Sequence, residues 1–313
     1  NEIFDMKILI VGSSGFLGRN LIDKISHNHE IICYDKKKLS RKYINKKNIK
    51  KIFHNSIRSD DMVRSAAKDV DVIFYRLGIL GGQESVKIDN AKRFLQINYE
   101  YLIKFLRIIE TQNVKKFIFD SSEQALGEKT KQSKNQNYTE PYPLNYYGLS
   151  KLMCEKFLLD WQKENKTAID IFRYPRVMDK SNSGVINAMI NSCINKRKII
   201  IDDDPNRKLT FLHINDAIDA NLKSLNKLST QSRILNLSNN QFISIRELAK
   251  KIIRKTKVKC KLIIKKDLSK NNFQPLNANM RSDETIKILN WKPKYSLDDI
   301  IDEKISFLKG KTK

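Results

Sequence analysis

The stretch Met6-Lys-Ile-Leu-Ile-Val-Gly-Ser-Ser-Gly-Phe-Leu-Gly-Arg-Asn20 decides the fold of this chain. Its residues 8–11, Ile-Leu-Ile-Val, form a continuous apolar run, which is typical of a strand buried on both faces of a parallel sheet. Glycines follow at positions 12, 15 and 18, and apolar residues then recur at helical spacing as far as Ile25. A strand, a glycine turn and a helix in this order are the context of a dinucleotide-binding site.

The three glycines have separate expected roles. Gly12 permits the tight turn, Gly15 lets a pyrophosphate approach the backbone, and Gly18 lets the helix pack close to its strand. The free N–H groups at the start of the helix would then bind the phosphates. A strand-to-helix turn without a ligand can carry the same glycines, so the motif needs support from the residues that follow it.

The second predicted strand supplies that support. Glu30–Asp35 reads as a buried strand that ends in a carboxylate, and Asp35 follows Gly18 by 17 residues. An acid about 20 residues after the glycines binds the ribose hydroxyls in dinucleotide sites. A carboxylate there repels a 2′-phosphate and favours NAD over NADP. The three lysines at 36–38 leave this choice open, because a lysine would tolerate the phosphate.

Composition sets the broad class of the protein. The 313 residues are 40% hydrophobic and 30% charged, which suits a globular chain with a sizeable core. No apolar stretch approaches the roughly 20 residues of a membrane span, and the run at 8–11 is too short for a signal peptide. Four scattered cysteines favour free thiols over disulfides or a metal site. We therefore predict a cytoplasmic protein with no membrane association and no metal.

The net charge of +25 raises the hypothesis of nucleic-acid binding. The 60 lysines and arginines are scattered along the whole chain rather than gathered in one basic arm, which favours a general compositional bias. A positive potential would also suit a doubly charged nucleoside-diphosphate ligand. Nucleic acid is therefore not the expected partner.

Strands and helices alternate along the first 175 residues. We predict strands at 6–11, 30–35, 49–53, 71–75, 116–120 and 168–173 and helices at 16–25, 61–68, 89–111 and 146–164. This alternation indicates right-handed βαβ units in an α/β fold with a doubly wound parallel Rossmann sheet.

Beyond residue 175 the alternation weakens. We predict helices near 184–195, 214–227, 244–256 and 296–309 and strands near 198–201, 209–213, 233–237 and 259–264. The sequence thus indicates an NAD-binding Rossmann domain at 1–175 and a mainly substrate-binding domain at 176–313. The second is a smaller, interleaved C-terminal α/β domain with no clean linker.

A catalytic pair follows the fifth strand. Tyr147 and Lys151 lie four residues apart and share one face of a predicted helix. A tyrosine with a pKa of about 10 is a poor base at neutral pH, but a nearby ammonium and a cationic nicotinamide ring would favour the phenolate. The pair can then act as acid and base when a sugar hydroxyl is oxidised to a ketone. Ser122, at the end of the fifth strand, can donate a hydrogen bond to the reacting oxygen.

These motifs together resemble the extended short-chain dehydrogenase/reductase family, the NAD-dependent nucleotide-sugar epimerases and dehydratases. The resemblance covers nearly the whole chain. Ser121-Ser-Glu-Gln-Ala-Leu-Gly127 is similar to the family's Ser-Ser-x-x-Val-Tyr-Gly, and Phe211-Leu-His-Ile-Asn-Asp216 to its Phe-x-His-Val-x-Asp. Leu289-Asn-Trp-Lys-Pro293 with Leu297 resembles its C-terminal Leu-Gly-Trp-x-Pro…Leu.

The resemblance implies roles for individual residues. Tyr147 would be the base, Lys151 its tuner and a ribose ligand, and Ser122 the residue that positions the hydroxyl. The implied NAD contacts are Gly12, Gly15, Phe16, Leu17, Gly18, Asp35, Ser56, Ile57, Arg76, Leu77, Gly78, Leu80, Asn98, Tyr147, Lys151, Tyr174 and Val177. The implied substrate contacts are Glu123, Arg176, His213 and Arg281, and Asn98 would also hold the active-site helix.

Two arginines depart from the family pattern. Arg76 lies in the glycine-rich loop after the fourth strand, where it would either clamp a phosphate or point to solvent. Arg176 replaces a substrate-facing asparagine of many members. It would either pair with a carboxylate or phosphate of the substrate, which hints at an acidic sugar, or form a surface salt bridge.

The resemblance implies an NAD-dependent nucleotide-sugar epimerase that transiently oxidises a sugar hydroxyl to a ketone. Gln124 stands where dehydratases of the family carry a carboxylate base, which disfavours elimination. A 4-keto reductase or 4,6-dehydratase remains an alternative, and a non-catalytic NAD- or RNA-binding sensor or scaffold is an alternative of another class. The expected partners are a nucleoside-diphosphate sugar and a second copy of the chain, which would pair through helices at 94–109 and 152–159.

Overall fold

A computed structural model of the chain describes residues 6–25, 27–128, 141–182, 184–227, 231–265, 275–276 and 280–311. The strands are β1 Lys7–Val11, β2 Glu30–Asp35, β3 Ile49–His54, β4 Val72–Tyr75, β5 Lys116–Ser122, β6 Ala168–Tyr174, β7 Arg176–Met178, β8 Lys198–Ile201, β9 Lys208–His213, β10 Arg233–Asn236, β11 Phe242–Ser244 and β12 Lys261–Ile264. The helices are α1 Phe16–Lys24, α2 Arg41–Ile44, α3 Asp60–Ala67, α4 Ile88–Phe94, α5 Tyr101–Ile109, α6 Tyr146–Lys163, α7 Val185–Lys196, α8 Ile214–Asn226, α9 Ile245–Thr256, α10 Asp283–Leu289 and α11 Leu297–Lys311.

Seven parallel strands form the central sheet in the order β10-β6-β5-β4-β1-β2-β3. The predicted doubly wound sheet is confirmed. The strand order reverses between β1 and β4, so the loops that follow these two strands separate at this point. Ligands of open α/β sheets bind at such a switch point, beyond the carboxyl ends of the strands.

Apolar side chains cover both faces of the sheet. One core packs α1 and α8 on one face, with Ile8, Ile10, Phe74 and Phe172 fully buried. The other packs α3, α5 and α6 on the opposite face, around residues such as Tyr75. Because the central strands β1 and β4 are covered on both faces, their sequences read as continuous apolar runs rather than alternating ones.

The C-terminal half forms a core of its own and also adds a strand to the central sheet. Its own core lies among α7, α9, α11, β8 and β9, yet β10 pairs with β6 of the central sheet. Asp170 of β6 holds β10 in place, because its carboxylate contacts Arg233 at 2.6 Å and the fully buried Lys116 at 2.8 Å. The packing is interleaved, and the domain boundary at 175/176 remains a prediction.

Some elements differ from the predictions. The helix predicted at 89–111 consists of α4 and α5 joined by a π-helical segment, Leu95–Glu100. Wider π-turns inside helices are frequent at functional sites. The short strands β7 and β11 and the helix α10 were not predicted. Among the described helices, none is both long and apolar enough to cross a membrane.

Candidate active site

The glycine turn packs as closely as its sequence predicts. Gly12 has φ of +84°, and a Cβ there would lie 2.8 Å from the carbonyl oxygen of Arg76. A Cβ on Gly18 would lie 2.4 Å from the carbonyl oxygen of Gly12. Side chains at these two positions would therefore push the turn away from β4 and from its own helix. Gly15 is the N-cap of α1, so the first N–H groups of the helix face the switch point.

Asp35 ends β2 beside this turn. Its Oδ2 accepts a hydrogen bond from the backbone N–H of Ser14 at 2.9 Å, and its Oδ1 accepts one from the N–H of Lys37 at 2.8 Å. Each carboxylate oxygen can accept a second donor. The carboxylate is thus fixed next to the glycine turn with acceptor capacity left for ribose hydroxyls.

Ser122, Tyr147 and Lys151 come together at the carboxyl end of β5. Ser122 is the last residue of the strand, and the side chains of Ser122 and Tyr147 share a hydrogen bond. Burial raises the pKa of the Tyr147 phenol to about 12, and the bond to Ser122 opposes this effect. Burial lowers the pKa of Lys151, whose Nζ donates to the carbonyl oxygen of Asp120 at 2.8 Å.

Two further contacts hold the start of α6. Asn145 caps the helix by accepting a hydrogen bond from the N–H of Gly148 at 2.8 Å. Asn98, in the π-helical segment, accepts from the N–H of Ile79 at 2.8 Å and donates to Ser150 at 3.0 Å. Asn98 therefore ties the glycine-rich loop after β4 to the helix that carries the tyrosine and the lysine.

The glycine-rich loop lies directly against the catalytic pair. A Cβ on Gly81 would lie 2.6 Å from the ring of Tyr147, and one on Gly78 would lie 3.3 Å from Nζ of Lys151. Leu80 of the same loop is 85% exposed. The loop reaches its position only because these glycines carry no side chain.

Arg76 does not point to solvent, and its predicted phosphate contact stays a prediction. Its guanidinium is buried, with Nη1 2.9 Å from Oδ2 of Asp120 and Nη2 2.6 Å from Oδ1 of Asn221. Asn221 also donates to the hydroxyl of Tyr174 at 2.8 Å. Burial raises the pKa of Asp120, and the charges of Arg76 and Lys151 oppose this shift. The arginine belongs to a buried polar cluster of four residues.

Arg176 forms an ion pair, but inside the cleft rather than on the surface. Its Nη1 donates to Oε1 of Glu123 at 2.6 Å. Burial raises the pKa of Glu123, and Arg176 opposes the shift. Oε2 of Glu123 is buried and has no hydrogen-bond partner among the residues that the structure describes.

These residues surround one cleft of about 1010 Å³ at the switch point. Of the predicted site residues, it is lined by Gly12, Gly15, Phe16, Leu17, Gly18, Arg76, Gly78, Leu80, Ser122, Glu123, Tyr147, Lys151, Tyr174, Arg176 and Val177. Asp35, Ser56, Ile57, Leu77 and Asn98 do not line it, and Ile57 is buried in the core. The structure thus brings the catalytic and most of the cofactor residues together.

His213 and Arg281 are not brought to this cleft. The His213 ring is buried, stacks on Tyr295 at 3.9 Å and lies 3.0 Å from the carboxylate of Glu303. It also caps α8 through the N–H of Asn215. Arg281 is exposed and pairs with Asp283. These contacts account for both side chains without a substrate, and their predicted role in substrate binding stays a prediction.

The sequence analysis missed Asp120 and Asn221. Asp120 contacts Arg76 by its carboxylate and Lys151 by its carbonyl oxygen. The available signal was a carboxylate at the end of an otherwise apolar strand, Lys116–Ser122, at the edge where ligands bind. Asn221 lies 145 positions from Arg76, and no local pattern links the two.

A second cavity, of about 970 Å³, lies at the opposite edge of the sheet, near the amino ends of β1 and β2. Its lining includes Lys7, His29, Lys46 and Lys50 but none of the predicted site residues. The cleft at the switch point is therefore the candidate active site.

The fold and this site define a Rossmann-type protein with a serine, a tyrosine and a lysine in the cleft at the switch point. Residues 8–238 match the NAD dependent epimerase/dehydratase family, and the chain belongs to that family. The prediction made from the motifs is confirmed, and so is NAD as the cofactor of the family.

Relatives and solved structures agree with this assignment. A putative UDP-glucose 4-epimerase of Methanocaldococcus jannaschii is 27% identical over 97% of this chain and 98% of that protein. A UDP-glucuronic acid 4-epimerase from Bacillus cereus has the same fold, with a TM-score of 0.85, 19% identity and coverage of 97% and 99%. A UDP-N-acetylglucosamine 4-epimerase from Methanobrevibacter ruminantium has a TM-score of 0.83, 18% identity and coverage of 99% and 100%.

Proposed function

We propose that the chain is an NAD-dependent epimerase of UDP-sugars. The observation that carries this proposal is the convergence of Ser122, Tyr147 and Lys151 in the cleft that the glycine turn also lines. The relatives support the reaction and the nucleotide, since they are named as epimerases of UDP-sugars.

The residues of the cleft fit NAD. The turn around Gly12 and Gly18 leaves no room for side chains, so the backbone can approach a pyrophosphate. The fixed carboxylate of Asp35 suits a ribose with free hydroxyls and repels a 2′-phosphate. NAD, when bound, supplies the reversible oxidation of one sugar carbon.

Tyr147 moves the proton. Its phenolate takes the proton of the sugar hydroxyl that is oxidised, and the phenol returns a proton when the ketone is reduced from the other face. Lys151 favours the phenolate through its positive charge, and Asp120 fixes the position of its ammonium group. Ser122 shares a hydrogen bond with the phenol and holds the reacting oxygen beside it.

Epimerisation fits these side chains better than elimination of water. A dehydratase needs a base for the proton on the neighbouring ring carbon, and the position of that base holds Gln124. The Gln124 amide accepts a hydrogen bond from Asn145 at 2.9 Å and cannot take up a proton. Asp35 argues against a reductase, because reductases of the family generally use NADP.

We also propose a homodimer in the cytoplasm. On α6, Leu149 is 39% exposed and Leu152 is half-buried. Ile97 of the π-helical segment and Tyr101 of α5 are also half-buried. These side chains leave apolar surface for a second copy. All four cysteines are free thiols, which suits a reducing compartment. A monomer in sedimentation equilibrium at micromolar concentration would contradict the dimer.

The experiment that tests the function starts from the protein as purified. Mass spectrometry of the denatured protein should release close to one NAD per chain, and the holoenzyme should convert UDP-glucose. Tyr147→Phe should keep the NAD and lose conversion by a factor of about 100 or more, since general acid–base catalysis supplies 10²–10⁴-fold. Conversion that survives this substitution would overturn the proposed role of Tyr147.

A further inference from the structure

Glu123 presents an unusual group to the sugar end of the cleft. It follows Ser122 directly and is 9% exposed, and its side chain lines the cleft with Tyr147 and Arg176. One carboxylate oxygen is bound to Arg176, while Oε2 has no hydrogen-bond partner among the described residues. A buried acceptor without a donor is unfavourable, so a bound ligand that supplies a donor gains affinity there.

The ion pair also cancels the charge of Arg176. Its Nη1 lies 2.6 Å from Oε1 of Glu123, and the two side chains are 24% and 10% exposed. A carboxylate on the sugar would have to displace Glu123 from the guanidinium or approach it as a like charge. Both alternatives are costly in a partly desolvated site.

The other cations at this end of the cleft are also engaged. Arg76 is bound by Asp120 and Asn221, and Lys151 donates to the carbonyl oxygen of Asp120. Arg19, which also lines the cleft, lies in α1 on the glycine-turn side. Among the residues that the structure describes, the sugar end therefore offers an acceptor oxygen rather than an uncompensated positive charge.

We propose that Glu123 selects the substrate: its Oε2 accepts a hydrogen bond from a hydroxyl or N–H of an uncharged sugar, and the Glu123–Arg176 pair excludes hexuronic acids. This inference rests on the proposed function. Arg176 alone suggested an acidic sugar as the substrate. An uncharged sugar replaces it here, because Glu123 pairs with Arg176 in the structure.

The test is a binding experiment on the NAD-loaded protein with two probes that differ at one carbon, UDP-glucose and UDP-glucuronic acid. Isothermal titration calorimetry should give a dissociation constant at least about tenfold lower for UDP-glucose. Glu123→Gln keeps the shape of the side chain but removes the negative charge beside Arg176. The dissociation constant for UDP-glucuronic acid divided by that for UDP-glucose should then fall by about tenfold or more. Glu164→Gln removes the same charge from an exposed position and should leave the ratio unchanged.

The double variant Glu123→Gln/Arg176→Gln separates the two halves of the proposal. If the charge of Arg176, no longer neutralised by Glu123, is what admits the acidic sugar, affinity for UDP-glucuronic acid should fall again when Arg176 is also replaced. Tighter binding of UDP-glucuronic acid by the unmodified protein overturns the inference, even if the variants do not fold. An unchanged ratio in a folded Glu123→Gln protein does the same. Failure to bind or convert any UDP-sugar overturns the proposed function together with this inference.

Discussion

Arg76 and Asp120 form a buried ion pair at the carboxyl edge of the sheet, with 2.9 Å between Nη1 and Oδ2. The two side chains are 2% and 12% exposed; Asp120 lies in β5, and Arg76 directly follows the neighbouring strand β4. The carbonyl oxygen of the same aspartate accepts from Lys151. The pair thus lies directly behind Lys151, and loss of the pair should affect both the stability of the protein and the geometry of the site.

The effects of removing the two partners of this ion pair should not be additive. Arg76→Leu and Asp120→Ala should each lower the free energy of unfolding by about 3–5 kcal/mol, because each leaves an uncompensated buried charge. The double variant should lose less than the sum of the two. Urea denaturation of the three proteins measures this coupling, and additive effects would contradict the account.

Gly18→Ala should abolish tight NAD binding. The added Cβ would lie 2.4 Å from the carbonyl oxygen of Gly12, and a backbone atom of the turn cannot move away without opening the phosphate site. We expect the dissociation constant for NAD to rise by at least about tenfold. Gly310→Ala is the matched control, because a Cβ there meets nothing within 4 Å. Wild-type affinity in Gly18→Ala would show that the turn does not bind the pyrophosphate.

Asp35→Asn should weaken the choice of NAD over NADP. The amide keeps the size of the side chain but no longer repels a 2′-phosphate, while the lysines at 36–38 remain. The dissociation constant for NADP divided by that for NAD should fall by about tenfold. Asp61→Asn, an exposed change on α3, serves as the control. If the unmodified chain binds NADP as tightly as NAD, Asp35 does not make the selection.

The rate should rise with pH and depend on Lys151. Burial raises the pKa of Tyr147 to about 12 in the protein without cofactor. A cationic nicotinamide ring and the ammonium group of Lys151 would both lower this pKa. Since the phenolate is the reactive form, kcat/KM should increase as the pH rises towards the pKa of the loaded enzyme. Lys151→Met should shift the rising part of the kcat/KM–pH profile to higher pH. Lys156→Met, an exposed change on the same helix, should leave the profile where it is. An unshifted profile in Lys151→Met would exclude the lysine as the tuner.

Much of the fold could be predicted from local sequence. Strands such as Val72–Tyr75 are fully buried on both faces and therefore read as continuous apolar runs. The π-helical segment at Leu95–Glu100 could not be predicted, because its apolar residues continue the spacing of an ordinary helix. β7 and β11 have three residues each, too few for a periodic signal.

The residues of the candidate site also include some that local sequence predicts and some that it does not. Gly12, Tyr147 and Lys151 are recognisable because the chemistry fixes their spacing along the chain. The partners of Arg76 and Arg176 are set by which strand ends meet in space, and Glu123 is 53 positions from its arginine. Pairing between distant side chains therefore decided what both arginines do, and the sequence left those alternatives open.

The most direct test of the central claim is to identify, by proton NMR and mass spectrometry, the product that the NAD-loaded protein forms from UDP-glucose. The account predicts a sugar nucleotide of unchanged mass with one inverted carbon. The same equilibrium mixture should be reached from either isomer. Loss of water would show a dehydratase despite Gln124, and a gain or loss of two hydrogens would show a reductase or dehydrogenase. Either result would contradict the epimerase.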